Sequence, residues 1–276
     1  MSCWLFQPLL FFQLRLGWGC CFSPLSFYQK ITNRIMEQRN LSFKLITSEN
    51  HLENILPLER FSTIYQSSIP DTLKEDFYQI VTRLHADEPK VFIVLAWNFD
   101  IPVGLAVYDY FERCNGLMLS AIAVEESWRE SGIGNDLYKV GLKLVLSRLH
   151  YKGFDPSVLF FEVARSENPR LRAKQADLRL FNSVGGKIIP INHLHPVFDE
   201  KNDIGKKCIC IAGFDYDGIN LFTKERYFYP IPIIMNLIQA HLQRLGKEDW
   251  FEKKCRVWWR RMDYDNNGFC KLKNIF

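Results

Sequence analysis

From Leu41 onward the hydrophobic pattern switches between a period of two and a period of three to four, and each switch marks an element. Leu41 to Thr47 (LSFKLIT) alternates and predicts a strand. Leu52 to Tyr65 and Thr72 to Leu84 place apolar residues at helical spacing, with Asp71 as the cap of the second helix. Val91 to Trp97 (VFIVLAW) is a continuous apolar run, the mark of a strand covered on both faces. Val103 to Tyr110 is its partner across the turn from Asn98 to Pro102. Leu117 to Val124 (LMLSAIAV) is a third strand. Ile133 to Leu149 predicts a long helix with Leu137, Val140, Leu144 and Val145 on one face. Val158 to Ala164 reads as a buried strand, Arg170 to Val184 as a helix, and Lys187 to Ile191 and Lys207 to Gly213 as the last two strands. The three consecutive strands suggest a meander, and strand–helix–strand over 117–164 suggests a parallel crossover. The pattern therefore predicts an α/β fold, a mixed sheet with helices on both faces.

The two ends have a different character. Residues 1–35 are apolar and aromatic, but Pro8, Arg15 and the glycines interrupt the run short of a membrane span. The first cation, Arg15, follows the apolar residues, whereas a signal peptide has its charge in front. The expectation is a polypeptide that starts at Met36, the alternative a membrane-surface anchor. Residues 36–215 form the α/β domain, and 216–276 a helical extension. Ile231 to Leu245 is an amphipathic helix after Pro230. Trp250 to Met262 is a second, with Trp258 and Trp259 beside Arg256, Arg260 and Arg261. Aromatic and basic residues mix in this way in nucleic-acid binders. A helix that buries tryptophan and lets arginine reach water explains the pattern as well. Packing on the sheet domain, or on a second subunit in a homodimer, is the reading taken.

Composition narrows the class without choosing a function. With 47% hydrophobic and 24% charged residues over 276, the chain resembles an ordinary globular protein. A net charge of +4 does not call for nucleic acid and leaves room for an anionic ligand. Of eight cysteines, Cys208 and Cys210 are two apart on one strand, so their Cβ vectors run parallel, the wrong geometry for a mutual disulfide. No C-x-x-C pair suggests zinc. Reduced thiols and a cytoplasmic location are expected.

The stretch that carries chemistry is AIAVEESWRESGIGNDLYK, residues 121–139, a strand and a glycine-containing turn directly before the long helix. Gly132 and Gly134 leave space for a ligand's close approach. The amides of Ser131, Gly132, Ile133, Gly134 and Asn135 lie at a helix start, where they have no helical acceptor. Such donors, together with the helix dipole, make an anion site that a diphosphate fits. Arg129 adds a cation for the same group. There is no Gly-Lys-Ser/Thr for a P-loop and no G-x-G-x-x-G for a dinucleotide turn.

Arg129-Glu130-Ser131-Gly132-Ile133-Gly134, following the strand that ends Ala123-Val124, resembles the Gln/Arg-x-x-Gly-x-Gly/Ala signature of the GNAT superfamily of N-acetyltransferases. The order of the elements from Leu41 to Gly213, through LFFEVA and LFNSVGGKII, resembles that family too. The resemblance implies a mostly antiparallel sheet of six to seven strands. In it the signature strand and the next strand splay into a V-shaped cleft that holds acetyl-CoA. By resemblance, Ile122 and Val124 would offer backbone contacts to the pantetheine arm. Gly132, Ile133, Gly134 and Asn135 would donate to the pyrophosphate, and Asn168 would lie near the cofactor. The implied reaction is direct attack of an amine on the thioester. A small-molecule amine is the expected acceptor and a protein amine the alternative, with no nucleic acid and no transmembrane segment.

Such a reaction needs a base. Glu162, mid-strand in an apolar run, is the candidate, since a carboxylate removed from water is a stronger base. Equally, it could face solvent or an arginine-lined surface beside Arg165 and Arg170. Glu125 and Glu126 are weaker candidates. The family often has a proton-donating Tyr four residues before the glycine that closes the last helix, and here Phe181 stands there. Tyr108, Tyr110 or water would then substitute, or the protein is a non-catalytic acyl-CoA sensor. Asp263 to Gly268 opens like a calcium loop, but Asn274 replaces the final bidentate Glu, so a polar turn is expected. His193 and His195 are expected in a loop, and residues 192–206 beside the acceptor.

Overall fold

The computed structural model describes residues 40–69, 74–87, 89–164, 176–195, 206–212, 228–246, 249 and 269–271. Strands β1 (Leu41–Ile46), β2 (Lys90–Asn98), β3 (Ile101–Phe111) and β4 (Gly116–Val124) pair antiparallel in succession. β5 (Val158–Ala164) lies parallel to β4, and β7 (Lys206–Ala212) and β6 (Lys187–His195) continue antiparallel. The resulting seven-stranded order is β1-β2-β3-β4-β5-β7-β6.

β2 shows why helices cover both faces. Val91, Ile93 and Leu95 point one way and Phe92, Val94 and Ala96 the other, and all are buried. The first set packs with Leu58, Phe61, Ile64 and Tyr65 of α1 (Ile55–Ser68) and with Phe77 and Ile80 of α2 (Phe77–Thr82). The second packs with Leu137, Leu142, Val145 and Leu149 of α3 (Ile133–Tyr151) and with Leu178 and Phe181 of α4 (Ala176–Ser183).

Several boundaries differ from the sequence reading. α2 begins at Phe77 rather than Thr72, and its cap is Asp76 rather than Asp71. The Asp76 carboxylate accepts the otherwise unbonded Tyr78 amide at 2.9 Å. Asp71 and Thr72 lie outside the described residues. The buried stripe of α3 is Leu137, Tyr138, Gly141, Leu142, Val145 and Leu149, while Val140 is exposed. Gly141 favours that rotation: a Cβ there would stand 3.1 Å from the Tyr108 hydroxyl, a tight contact, so the glycine lets the helix sit close to β3. β6 runs to His195, so His193 and His195 are strand residues, opposite Cys208 and Lys206. The β6–β7 register breaks between Ile189 and His193, at Pro190, which has no amide to donate.

α5 (Ile231–Arg244) belongs to the C-terminal extension and packs on the sheet through fully buried Ile234, Leu237, Ile238 and Leu242. Leu237 occupies the space above Gly116, where a Cβ would fall 2.9 Å from its Cδ1. Short strands β8 (Phe228–Pro230) and β9 (Phe269–Lys271) pair antiparallel. The helix expected over 250–262, the turn at 263–268 and residues 1–35 lie outside the described residues.

α5 also contributes to a buried charge cluster. Asp109 of β3 is fully buried. It accepts from Arg83 Nη1 at 2.7 Å and from Ser120 Oγ. Arg83 also grips Glu75 through Nε (3.1 Å) and Nη2 (2.9 Å), and Arg244 of α5 donates to the same carboxylate at 3.0 Å. Burial alone would raise the Asp109 pKa. Arg83, Arg244 and the Ser120 hydrogen bond outweigh it and hold the group at about 2. Ser120 is the bulged residue of β4, since Val107 pairs with Ala121 and Tyr108 with Leu119.

Candidate functional site

β4 and β5 share only the pairs Gly116–Val158, Leu117–Leu159 and Met118–Phe160 among the described residues. Past Met118 the β5 residues Phe161 to Ala164 pair with β7, and β4 runs on to Val124 without β5 beside it. Ile122, Ala123 and Val124 therefore line a cleft of about 770 Å³ instead of the middle of a sheet. The other walls are the turn and first residues of α3 (Glu126, Trp128 to Glu130, Gly132, Gly134, Asn135) and one side of α4.

The turn is shaped by its own polar residues. The Glu125 carboxylate accepts the Ser127 amide at 2.9 Å and starts a short 3-10 turn from Glu126 to Trp128, so Glu125 is a cap. Gly132 then adopts φ 93°, a left-handed conformation that glycine reaches without cost, and α3 begins at Ile133 with no side-chain cap. The first helical bond is Asp136 N to Gly132 O, at 3.2 Å. The amides of Ile133, Gly134 and Asn135 precede it and lack intrahelical acceptors. A Cβ on Gly134 would stand 3.5 Å from Leu180 Cδ1 and 3.9 Å from Val124 Cγ2, in ordinary contact and between the two walls. Its absence therefore keeps the cleft open; no backbone clash forbids a side chain.

The structure brings most of the expected binding residues together. Ile122, Val124, Arg129, Gly132, Gly134 and Asn135 all line the cleft. Ile133 turns its side chain into the core, leaving its amide at the helix start. The Arg129 guanidinium sits at the end of β4 within this lining. Its Nε donates to Val124 O and its Nη2 to Ser68 Oγ, each at 3.2 Å, which ties the guanidinium to the end of β4. Ser68 also donates to Val124 O, so that carbonyl already has two donors. Asn168 lies outside the described residues.

The residues considered for proton transfer do not gather here. Glu162 is half-buried on β5, opposite Cys210, on the other side of the strand from buried Phe161 and Val163, and does not line this cleft. Tyr108 is fully buried, its hydroxyl donating to Tyr138 O at 3.3 Å and its pKa raised by burial. Tyr110 is buried and donates to Asn115 Oδ1 at 2.8 Å. Phe181 is core as well: it stacks on Phe161 at 3.9 Å between ring centroids and meets the edge of Tyr138. Packing accounts for an apolar ring at that position.

Sequence reasoning missed the α4 side of the cleft. Arg179 of α4 pairs with Glu130 at 3.2 Å, joining the two walls, and Ser183 Oγ donates to Asn135 Oδ1 at 2.8 Å. The spacing of Arg179, Leu180 and Ser183 on one helix side was the available signal.

A cleft beside the freed edge of β4 that ends on the amides of a helix start suits an elongated, anionic ligand. No protein-family model matches the sequence, and no curated protein compared with it does. Solved structures similar to it include acetyltransferases, among them GNAT-family proteins. A GNAT-family protein of Bacteroides thetaiotaomicron is 11% identical over 75% of this chain and 98% of its own, with a TM-score of 0.49. An acetyltransferase of Bacillus subtilis in complex with CoA is 16% identical over 63% and 97%, TM-score 0.40. An N-acetyltransferase of Staphylococcus aureus is 15% identical over 64% and 99%, TM-score 0.42. Among the described residues no helix is long and apolar enough to cross a membrane, and no group of three or more potential metal ligands occurs.

Proposed function

We propose that the protein is an N-acetyltransferase of GNAT type that binds acetyl-CoA and transfers the acetyl group to an amine, with a small-molecule amine favoured over a protein amine. One observation carries the reading: β4 leaves β5 after Met118, and the freed edge runs into the uncapped start of α3. In the cleft beside that edge, Ile122 and Val124 would flank the pantetheine arm. The amides of Gly132, Ile133, Gly134 and Asn135 would bind the diphosphate. The cleft volume, about 770 Å³, and the missing side chain at Gly134 fit an elongated ligand of that kind. Asn168 remains a proposed contact on the signature resemblance alone.

Bound there, acetyl-CoA supplies an activated thioester. Glu162, which lies outside the cofactor cleft, would take the amine's proton through water from the acceptor side and so leave a lone pair for attack in a ternary complex. The C-terminal extension would bound the acceptor side.

A second reading, a non-catalytic acyl-CoA sensor, is favoured by one feature. Among the described residues lining the cleft there is no tyrosine hydroxyl to protonate the leaving sulfur.

Calorimetry of acetyl-CoA with the wild-type protein and with Gly134→Leu tests the site. Binding by the first and its loss in the second are expected, because the leucine would fill the space between Val124 and Leu180. Equal affinity in the two would remove the assignment. Thiol release from acetyl-CoA with a panel of amines separates the functions: turnover marks the transferase, tight binding without turnover the sensor. Retention of full turnover by Glu162→Gln would discard that residue as the base.

A further inference from the structure

The cation nearest the expected phosphate position on sequence grounds, Arg129, has its guanidinium on Val124 O and Ser68 Oγ. A second arginine faces the same turn from the opposite wall. Arg179 Nη2 reaches across to Glu130 Oε1 at 3.2 Å, and both side chains are more than half exposed. Glu130 belongs to the turn that leads into α3, two residues before Gly132, and both line the cleft. The carboxylate thus occupies the arginine at the turn that leads into α3.

The lining carries Glu126, Glu130 and Asp177 against Arg129 and Arg179. Such a balance gives an anionic ligand no strong general attraction, so a particular cation has to meet it. An exposed ion pair exchanges partners readily, because its net stability is small. A phosphate offers the guanidinium two or three oxygens in place of one carboxylate, in bidentate geometry.

The geometry points to Arg179 as a phosphate-binding residue of this cleft, with Glu130 as a built-in competitor that holds the arginine until a phosphorylated ligand displaces it. The inference rests on the acetyl-CoA reading above and deepens it. It identifies which side chain meets the ligand's phosphates and which one sets the affinity. Glu130 and Arg179 join the turn of α3 to α4, so exchanging the carboxylate for ligand phosphate would leave both walls fastened through the ligand. Ser183 and Asn135 hold the same two elements together deeper along α4.

Calorimetric titration of the full chain with acetyl-CoA tests this with Arg179→Gln, Arg179→Lys and Glu130→Gln. Loss of a charge-assisted bond in Arg179→Gln is expected to weaken binding by about ten- to a hundredfold. Arg179→Lys should recover part of it. Glu130→Gln, by removing the competitor, should tighten binding by about two- to fivefold. Acetyl-pantetheine, which has no phosphate, should bind all variants alike. With dephospho-CoA, a persisting Arg179 effect assigns the contact to the diphosphate, and a vanished one assigns it to the 3′-phosphate. If the wild-type chain binds acetyl-CoA and Arg179→Gln binds it equally well, this inference is wrong while the cleft assignment stands. Weaker binding by Glu130→Gln would overturn the competitor role. If the wild-type chain does not bind acetyl-CoA, both fall together.

Discussion

Two regions of this molecule join arginines to carboxylates, and they use the same chemistry for opposite ends. In the cleft, Arg179 and Glu130 pair with 53% and 79% of their side chains exposed. Under β3, Arg83 and Arg244 close on Glu75 and Asp109, with Asp109 at 0%. Water can take over either partner of the first pair, so it stores little stability and is free to trade. No such replacement exists for the second. There the charges are largely shielded from water, Asp109 completely, and the cluster holds α5, the residue before Asp76 and the bulge at Ser120 in one arrangement. Burial, more than the identity of the residues, separates a pair that binds from a pair that builds.

The largest test of that contrast is Asp109→Asn. Removing one charge from a buried, hydrogen-bonded set is expected to cost about 3–5 kcal/mol in urea unfolding. The affinity of the remaining folded protein for acetyl-CoA should be unchanged, and a parallel fall in affinity would show the two regions to be coupled.

Acid gives the next largest effect. The folded Asp109 pKa, about 2, lies below its ordinary 3.8, so the unfolded chain takes up the proton first as pH falls. The stabilisation is therefore complete above about pH 5 and is lost as pH falls through 4 toward 2, an effect of about 2 kcal/mol. Denaturant melts at pH 6, 4 and 2.5 read it, and Asp109→Asn should flatten that part of the dependence.

Gly134→Ala sharpens the comparison from the cleft side. Its position is helical and the added methyl meets only ordinary contacts, so the fold should gain about 0.4–1 kcal/mol. Acetyl-CoA affinity should drop in the same protein, since the methyl projects between the walls. A variant both more stable and equally tight would contradict the placement. The smallest effect belongs to Glu130→Gln, whose stability should stay within about 0.5 kcal/mol of wild type in the same melts.

Much of this was legible without coordinates, and the exceptions have physical causes. β2 could be read because a strand covered on both faces must be apolar at every position, and VFIVLAW is. The start of α3 could be read because few sequences other than a turn combine Gly132 and Gly134 directly before a helical period. The face of α3 was misjudged at Val140 because a hydrophobic count cannot see that Gly141 packs closely against Tyr108. The cap of α2 was misplaced because Asp71 and Asp76 are equivalent in composition, and only the chain's path chose between them.

Local chemistry along the chain thus determined the elements, their order and the donor-rich turn, since period, capping and glycine act over a few residues. Which charge faces which was a tertiary decision. Arg129 was drawn to the end of β4, Arg179 came from 49 positions beyond Glu130 to meet it, and Phe181 turned into the core against Phe161. Those partners are distant in sequence. Their meeting depends on how two walls of a sheet and two helices come to rest, which no local pattern encodes.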